Sequence, residues 1–321
     1  MRFISEQIQK IYKNVVFKRR DDDGSLFYFS VDDFPGLTRE EFCFNTKKGH
    51  KLTGYFYSYG NTSSDRLIVF DHGMGNGHRA YMREIERLAR AGFLVYSYDH
   101  TGCTESEGEH IMGLSGSLAD LDCCIEAMIS KGFKADNISV VGHSWGAFST
   151  LNILGFHKSL RSIVAISGFI SLKEMLHQVI PGILAPFRPS LYKLEGEFNP
   201  DYYDRNAIDT LSETNAPAFI IHSTDDNSVS YKRHFDKMRS ALADKKNITF
   251  LTLKGKLHNP NYTFDAVEYK EQFFKEYTRR VKKQGIDDME AHKAFLKSYD
   301  WHRMTAQDEE IWTKIIEFLS K

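Results

Sequence analysis

The pentapeptide Gly142-His143-Ser144-Trp145-Gly146 sets a serine between two glycines. It follows the apolar run Ile138-Ser139-Val140-Val141 and precedes a segment with helical patterning. Strand, tight turn and helix in that order predict an elbow that lifts the Ser144 hydroxyl clear of a sheet. The same elbow aims the unpaired amides of the following helix at any oxyanion formed beside it. Side chains at Gly142 or Gly146 would collide with neighbouring backbone as the turn tightens. A chance match in a turn containing serine and glycine is the competing reading. It weakens because the partners that such chemistry requires lie downstream in the required order.

A serine at its free pKa is a poor nucleophile and needs a base held by a third group. Downstream, the apolar stretch Phe219-Ile220-Ile221-His222 runs into Ser223-Thr224-Asp225-Asp226-Asn227-Ser228-Val229. A carboxylate just past the C-terminal end of a parallel strand is well placed for function, and both Asp225 and Asp226 qualify. Histidine suits the base because its pKa lies near working pH. Of thirteen histidines, His258 stands out, on a short loop after the last sheet strand. His292 and His302 lie in charged segments and read as solvated. Developing negative charge needs donors. Asp71-His72-Gly73-Met74-Gly75 follows a buried strand and resembles the HGxG oxyanion motif, so the backbone amides of Met74 and Trp145 are the predicted donors. Gly73-Met74-Gly75-Asn76-Gly77 is a poor dinucleotide loop, because His78 stands where a third glycine belongs and no acidic residue closes a following strand.

The elements that must carry these groups alternate. Glu41–Thr46 and Leu52–Tyr59 read as strands around a Lys-Lys-Gly-His turn. Leu67-Ile68-Val69-Phe70 is a continuous apolar run, as for a strand buried on both faces. Helix Tyr81–Ala91, strand Phe93–Tyr98, helix Ser117–Ser130, strand Ile138–Val141, helix 145–157 and strand Ser162–Ile166 follow. Strand Ala218–Ile221, helix Lys232–Ala243 and strand Ile248–Leu253 continue the series. Such alternation implies right-handed crossovers and a doubly wound, mostly parallel α/β sheet. Residues 1–40 form an N-terminal extension to a domain spanning 41–321. Residues 169–216 are too long for a plain connection and read as a helical cap insertion holding the apolar run Val179–Phe187, either a lid over the site or a peripheral helical decoration. Residues 264–303 read as extra C-terminal helices before a final helix at Ile311–Leu319.

The chain has 321 residues, with 42 Lys plus Arg against 43 Asp plus Glu and a net charge of −1. That balance offers no reason to expect nucleic acid or an anionic membrane as partner. The four cysteines have no metal-type spacing, and adjacent Cys123 and Cys124 read as buried thiols. No secretory signal or run of eighteen apolar residues occurs, so a cytoplasmic protein without membrane insertion is expected. One apolar run of nine residues is a poor interfacial anchor. A homo-oligomer is compatible with the sequence, but no stretch marks its interface.

Taken with HGMG and GHSWG, the block from Gly92 to Gly108 (GFLVYSYDHTGCTESEG) resembles the α/β-hydrolase superfamily, in its serine esterase, lysophospholipase and serine-aminopeptidase-like branch. The similarity covers roughly 41–168 and 217–260. His100-Thr101 replaces the usual Arg-containing pair, and Thr104-Glu105 lengthens the spacing that follows. The resemblance favours Asp226 over Asp225, since it lies four residues past His222 and three before Val229, the usual spacing. It implies an α/β-hydrolase fold and a cofactor-independent, metal-free serine hydrolase with Ser144, His258 and Asp226 as the triad. Met74 and Trp145 would be its oxyanion donors, supported by His72, Gly73, Gly75, Gly142 and Gly146. A carboxylic ester with a small to medium acyl or aryl group is the expected substrate. Peptide or amide cleavage is the second expectation, with Glu195 and Glu197 as candidate anchors for a substrate amine. A ligand-binding homologue without turnover is the third.

Overall fold

The computed structural model describes residues 2–22, 24–60, 62–75, 77–284 and 288–321. Asn76 of the glycine-rich run lies outside them, as do positions 1 and 23 of the extension and 285–287 of the later helical segment. Eight strands form one sheet: β1 (Thr38–Asn45), β2 (Lys51–Ser58), β3 (Ser63–Asp71), β4 (Phe93–Tyr98), β5 (Ile138–His143), β6 (Ser162–Ile166), β7 (Ala218–Ser223) and β8 (Ile248–Leu253). Their order is β1-β2-β4-β3-β5-β6-β7-β8. The β1–β2 and β2–β4 pairs are antiparallel, and β3 to β8 run parallel with β4.

Side chains alternate across a strand, and the sheet uses that alternation to build two cores. Leu67, Val69, Val140, Ile163 and Ile220 face one layer, with α3 (Gly116–Ser130) and α4 (Trp145–Asn152). Ile68, Phe70, Val141, Val164 and Phe219 face the other, with α2 (Met82–Arg90) and the final helix α12 (Glu309–Ser320). Burial on both faces explains why β3 and β5 read as unbroken apolar runs. Two predicted helices divide. The helix after β5 gives way at Asn152 to a 3-10 turn over Ile153–Gly155, and Asn152 Nδ2 donates to the Phe148 carbonyl at 2.9 Å. Lys232–Asp236 is a wider π-type turn before the short α8 (Lys237–Ala241). That wide turn carries the buried His234 to Gln178 at 3.0 Å.

Between β6 and β7 the chain forms α5 (Leu172–Val179), a 3-10 stretch over Gly182–Phe187, α6 (Arg188–Phe198) and α7 (Ala207–Ser212). Ser171 caps α5 by accepting from the Glu174 amide at 3.3 Å. The N-terminal helix α1 (Arg2–Val16) lies on α6, with the Ser5 and Ser190 hydroxyls 3.2 Å apart. After β8 come α9 (Phe264–Gln284), α10 (Met289–Lys297) and α11 (Trp301–Met304). His292 on α10 departs from expectation. It is buried, and its Nε2 lies 3.0 Å from the Ser25 carbonyl, because α10 packs onto the N-terminal segment. His302 is exposed. All four cysteines are free.

Candidate active site

The elbow is strained at its serine. Ser144 has φ 57 and ψ −113, a conformation that L residues rarely adopt. Its amide donates to Ile166 of the next strand at 2.9 Å, which holds the turn against the sheet. A Cβ at Gly142 would overlap Thr150 Oγ1 and the Gly146 carbonyl, and one at Gly146 would overlap the Asp71 carbonyl. Both glycines are therefore required by close approach of backbone. Gly73 is also crowded: its Cβ position lies 3.3 Å from Ser144 Cβ and against the Tyr81 hydroxyl. The oxyanion-type loop thus passes directly beside the serine. Trp145 opens α4, so its amide has no intrahelical acceptor. Met74 follows Gly73 in the loop, and Met74 and Trp145 both border the cavity described below.

Ser144, His258 and Asp226 meet although 114 and 32 residues separate the two pairs. His258 Nε2 lies 2.8 Å from Ser144 Oγ, and Nδ1 lies 2.8 Å from Asp226 Oδ2. Asp226 Oδ1 accepts the Ser228 and Val229 amides, each at 2.8 Å. His222 Nε2 stands 3.2 Å from Oδ2. Burial works against ionisation of Asp226, but bonds from His222, His258 and the Val229 amide outweigh it and hold its pKa well below the carboxylate range. Asp225 instead accepts from the Ser223 hydroxyl and from the Gly255 amide at 3.0 Å, tying β7 to the histidine loop.

That loop is fixed from two sides. His143 Nε2 lies 2.8 Å from the His258 carbonyl, and its Nδ1 lies 2.9 Å from the Tyr81 hydroxyl. Burial, reinforced by the nearby His258, lowers the His143 pKa to about 3. The ring is therefore neutral, donating through Nε2 and accepting from Tyr81. On the other side, buried Lys256 Nζ donates to the Tyr262 carbonyl at 2.6 Å and to Asp308, the cap of α12, at 2.7 Å. Sequence reasoning missed His143, Tyr81, Lys256 and His222 as supports. The one visible signal was a histidine inside the elbow motif.

Behind the oxyanion-type loop, buried His72 places Nδ1 2.7 Å from the Gly73 carbonyl and accepts the His100 amide at 3.1 Å. Burial lowers its pKa to about 3. His100 belongs to the His100-Thr101 pair that departs from the Arg-containing pair of the resembling block. It sits between Asp71 (3.1 Å, poorly aligned for a hydrogen bond) and Asp120 (3.3 Å). Burial opposes its charge, but the two carboxylates prevail and raise its pKa to about 9, so it remains a cation. Thr101 also bonds Asp120, and Thr104 (φ 34) bonds Asp99, which receives the His78 amide at 2.8 Å. Side-chain bonds to Asp120 and Asp99 thus hold the Thr101 to Thr104 stretch.

Ser144 opens on a cavity of about 430 Å³ with an almost wholly apolar wall. Met74, Phe169, Leu184 and Leu191 contribute, and α1 supplies Ile8 and Tyr12. Glu195 holds this wall together and is not an amine anchor. It is fully buried, and its carboxylate accepts the Tyr12 hydroxyl (2.6 Å), the Leu114 amide (3.0 Å) and the Ser115 hydroxyl (3.2 Å). The Leu114 carbonyl in turn receives Trp145 Nε1 at 2.6 Å. Glu197 is exposed. Among the described residues no cluster of three or more His, Cys, Asp or Glu could hold a metal, and no helix is long and apolar enough to cross a membrane.

Comparison with known proteins agrees with this architecture. Residues 62–212 match the family model of serine aminopeptidase S33-type hydrolases. An esterase of Pyrococcus furiosus is 20% identical and superposes with a TM-score of 0.58, over 88% of this chain and 99% of that one. An α/β hydrolase from a Penicillium species is 15% identical, with a TM-score of 0.51 over 81% and 98% of the two chains. A puromycin-hydrolysing peptidase of Mycobacterium tuberculosis is 18% identical, with a TM-score of 0.50 over 69% of this chain and 36% of that one. With its mostly parallel eight-stranded sheet and flanking helices, the chain has the α/β-hydrolase fold, and its residues 62–212 are similar to serine aminopeptidase S33-type hydrolases.

Proposed function

We propose that this chain is a cofactor-independent serine hydrolase that cleaves carboxylic esters with a small to medium apolar acyl or aryl group. One observation carries the reading: an unbroken line of hydrogen bonds, Ser144 to His258 to Asp226, ends at an apolar cavity. Ser144 Oγ attacks the ester carbonyl while His258 Nε2 takes its proton. Asp226, held ionised by its donors, stabilises the imidazolium and fixes its orientation. The oxyanion lies between the Met74 and Trp145 amides. Collapse of that intermediate releases the alcohol, which takes the proton from His258, and water then resolves the acyl-enzyme by the reverse transfers. The positive φ of Ser144 and the two crowded glycines support the assignment, since strain of this kind persists where function holds it.

Peptide cleavage by the same groups remains the second reading, favoured by the match to serine aminopeptidase-type hydrolases. An amine-binding carboxylate is what it needs, and the bonds consuming Glu195 weigh against it. Turnover of p-nitrophenyl butyrate and of aminoacyl anilides separates the two. Ester hydrolysis abolished by Ser144→Ala is expected; strong anilide turnover with negligible ester hydrolysis reverses the order. The cytoplasm remains the proposed location, and a small-molecule ester the proposed partner.

A further inference from the structure

A second cavity, of about 280 Å³, borders the oxyanion-type loop and takes none of its lining from the 169–216 insertion. It shares Gly73, Met74 and Gly75 with the oxyanion-type loop, and Tyr81, whose hydroxyl touches the Gly73 Cβ position, also lines it. Where the first cavity is almost purely apolar, this one gathers three cationic side chains: Arg79, Arg83 and Lys270. Among the described residues Arg79 has one ion-pair partner, Asp22, 3.2 Å away and partly solvated. Lys270 Nζ donates to Asn259 Oδ1 at 2.9 Å. The nearby carboxyl of Glu84 is buried, and burial pushes it towards its neutral form.

Arg83 is the informative member. Its guanidinium lies over the Phe29 ring, 5.8 Å from the centroid, and it forms no ion pair with the described residues. Its Nε is shut off from solvent without a hydrogen-bond partner. A buried, unpaired guanidinium nitrogen is costly, and the usual remedy is an anion that accepts from its fork. The position of the cavity says which part of a substrate would bring that anion. His258 must return its proton to the leaving oxygen, so the leaving group lies on the side of the histidine loop. Tyr262 of that loop lines this cavity, and Asn259, next to His258, holds Lys270.

Building on the serine hydrolase reading, we infer that the enzyme selects esters whose alcohol carries an anionic group, phosphate or carboxylate, received by Arg83 and Arg79 while the acyl chain fills the apolar cavity. Bond making is that of ester hydrolysis. The Ser144 Oγ–acyl carbon bond forms, the acyl carbon–alkoxy bond breaks, and the alkoxy oxygen leaves with the His258 proton and its anionic terminus intact.

Four octanoyl esters of two-carbon alcohols test this, ending in phosphate, carboxylate, hydroxyl or trimethylammonium. Charge-assisted bonds of this kind lead to an expected kcat/KM advantage of about 10- to 100-fold for the two anionic esters over the neutral one. The ammonium ester is expected to fall below the neutral one. Comparison of the phosphate and carboxylate arms shows which anion fits better. Arg83→Gln should bring the anionic-to-neutral ratio towards one, with Arg83→Lys retaining part of it and Arg79→Gln as a second variant should the first not fold. Equal kcat/KM across the four esters, or a ratio unchanged in both glutamine variants, overturns the inference while leaving the hydrolase reading intact. Should no ester be cleaved, that reading fails first. Calorimetric binding of 2-hydroxyethyl phosphate to the Ser144→Ala protein then decides the cavity: binding lost on Arg83→Gln supports it, and no binding overturns it.

Discussion

Replacing His143 by alanine removes no member of the triad, yet it should cost the enzyme most of its turnover. Among the described residues the imidazole is the one side chain bonded to the backbone of the base, 2.8 Å from the His258 carbonyl, and it is itself held by Tyr81 at 2.9 Å. Its loss takes a hydrogen-bond partner from two part-buried groups, the His258 carbonyl and the Tyr81 hydroxyl, so a stability loss of about 1–3 kcal/mol is expected. The catalytic cost is separate. A displacement of about 1 Å in the base lowers rate on the order of 10²-fold. Tyr81→Phe removes one bond and should lose about 1–2 kcal/mol of stability and far less turnover. His143→Gln, able both to donate and to accept, should recover part of each loss. The assay is kcat for p-nitrophenyl butyrate per titrated active site, paired with urea unfolding. If His143→Ala loses stability but keeps wild-type kcat per folded site, the imidazole is only a packing element and the reasoning is refuted.

Asp226→Asn should lower kcat by about 10³–10⁴-fold with little change in KM, because the imidazole loses the group that fixes its tautomer; steady-state kinetics showing a mainly KM effect would contradict that role. Gly146→Ala drives a Cβ into the Asp71 carbonyl, so a sharply lowered melting temperature is expected, and a wild-type melt would show that the elbow can open. Ile180→Trp projects bulk into the apolar cavity and should depress octanoyl relative to acetyl ester turnover, at about 0.8 kcal/mol for each methylene excluded; equal losses on both esters would place the acyl chain elsewhere. His72, His143 and His234 are buried with pKa values lowered to about 3. Between that value and the unfolded value of about 6.5 the unfolded chain binds more protons, so stability falls as pH drops through this window. His100 acts in the opposite sense: its raised pKa of about 9 contributes stability below about 6.5 that is lost as pH rises through 9. Urea midpoints that stay flat on both sides of neutrality would show that these rings do not titrate as described.

What the sequence revealed follows from how local each constraint is. Gly142, Gly146 and Gly73 are fixed by backbone approach within a few residues of a strand end, so the elbow and the oxyanion-type loop were readable as motifs. The sheet was readable because β3, β5 and β6 are buried on both faces and alternate with helices. His258 was reached through its position after β8, whereas the position after β7 left Asp225 and Asp226 open and the spacing of the resembling family chose between them. The helix α1 shows only an amphipathic pattern in sequence. Nothing local says that its apolar face closes the cavity beside Ser144, because the contact that fixes it, Tyr12 to Glu195, spans 183 residues. The same holds for His143 and the His258 carbonyl, 115 residues apart, and for Arg79, Arg83 and Lys270, which gather from different elements. His292 looked solvated because its neighbours in sequence are charged, while its surroundings in space are not.

The reading of Ser144 as the attacking atom is tested most directly by fluorophosphonate labelling with peptide mapping by mass spectrometry. The wild type should carry one adduct, on Ser144, formed more slowly in His258→Ala and absent in Ser144→Ala. Equal labelling of the wild type and Ser144→Ala, or an adduct on another residue, would contradict it.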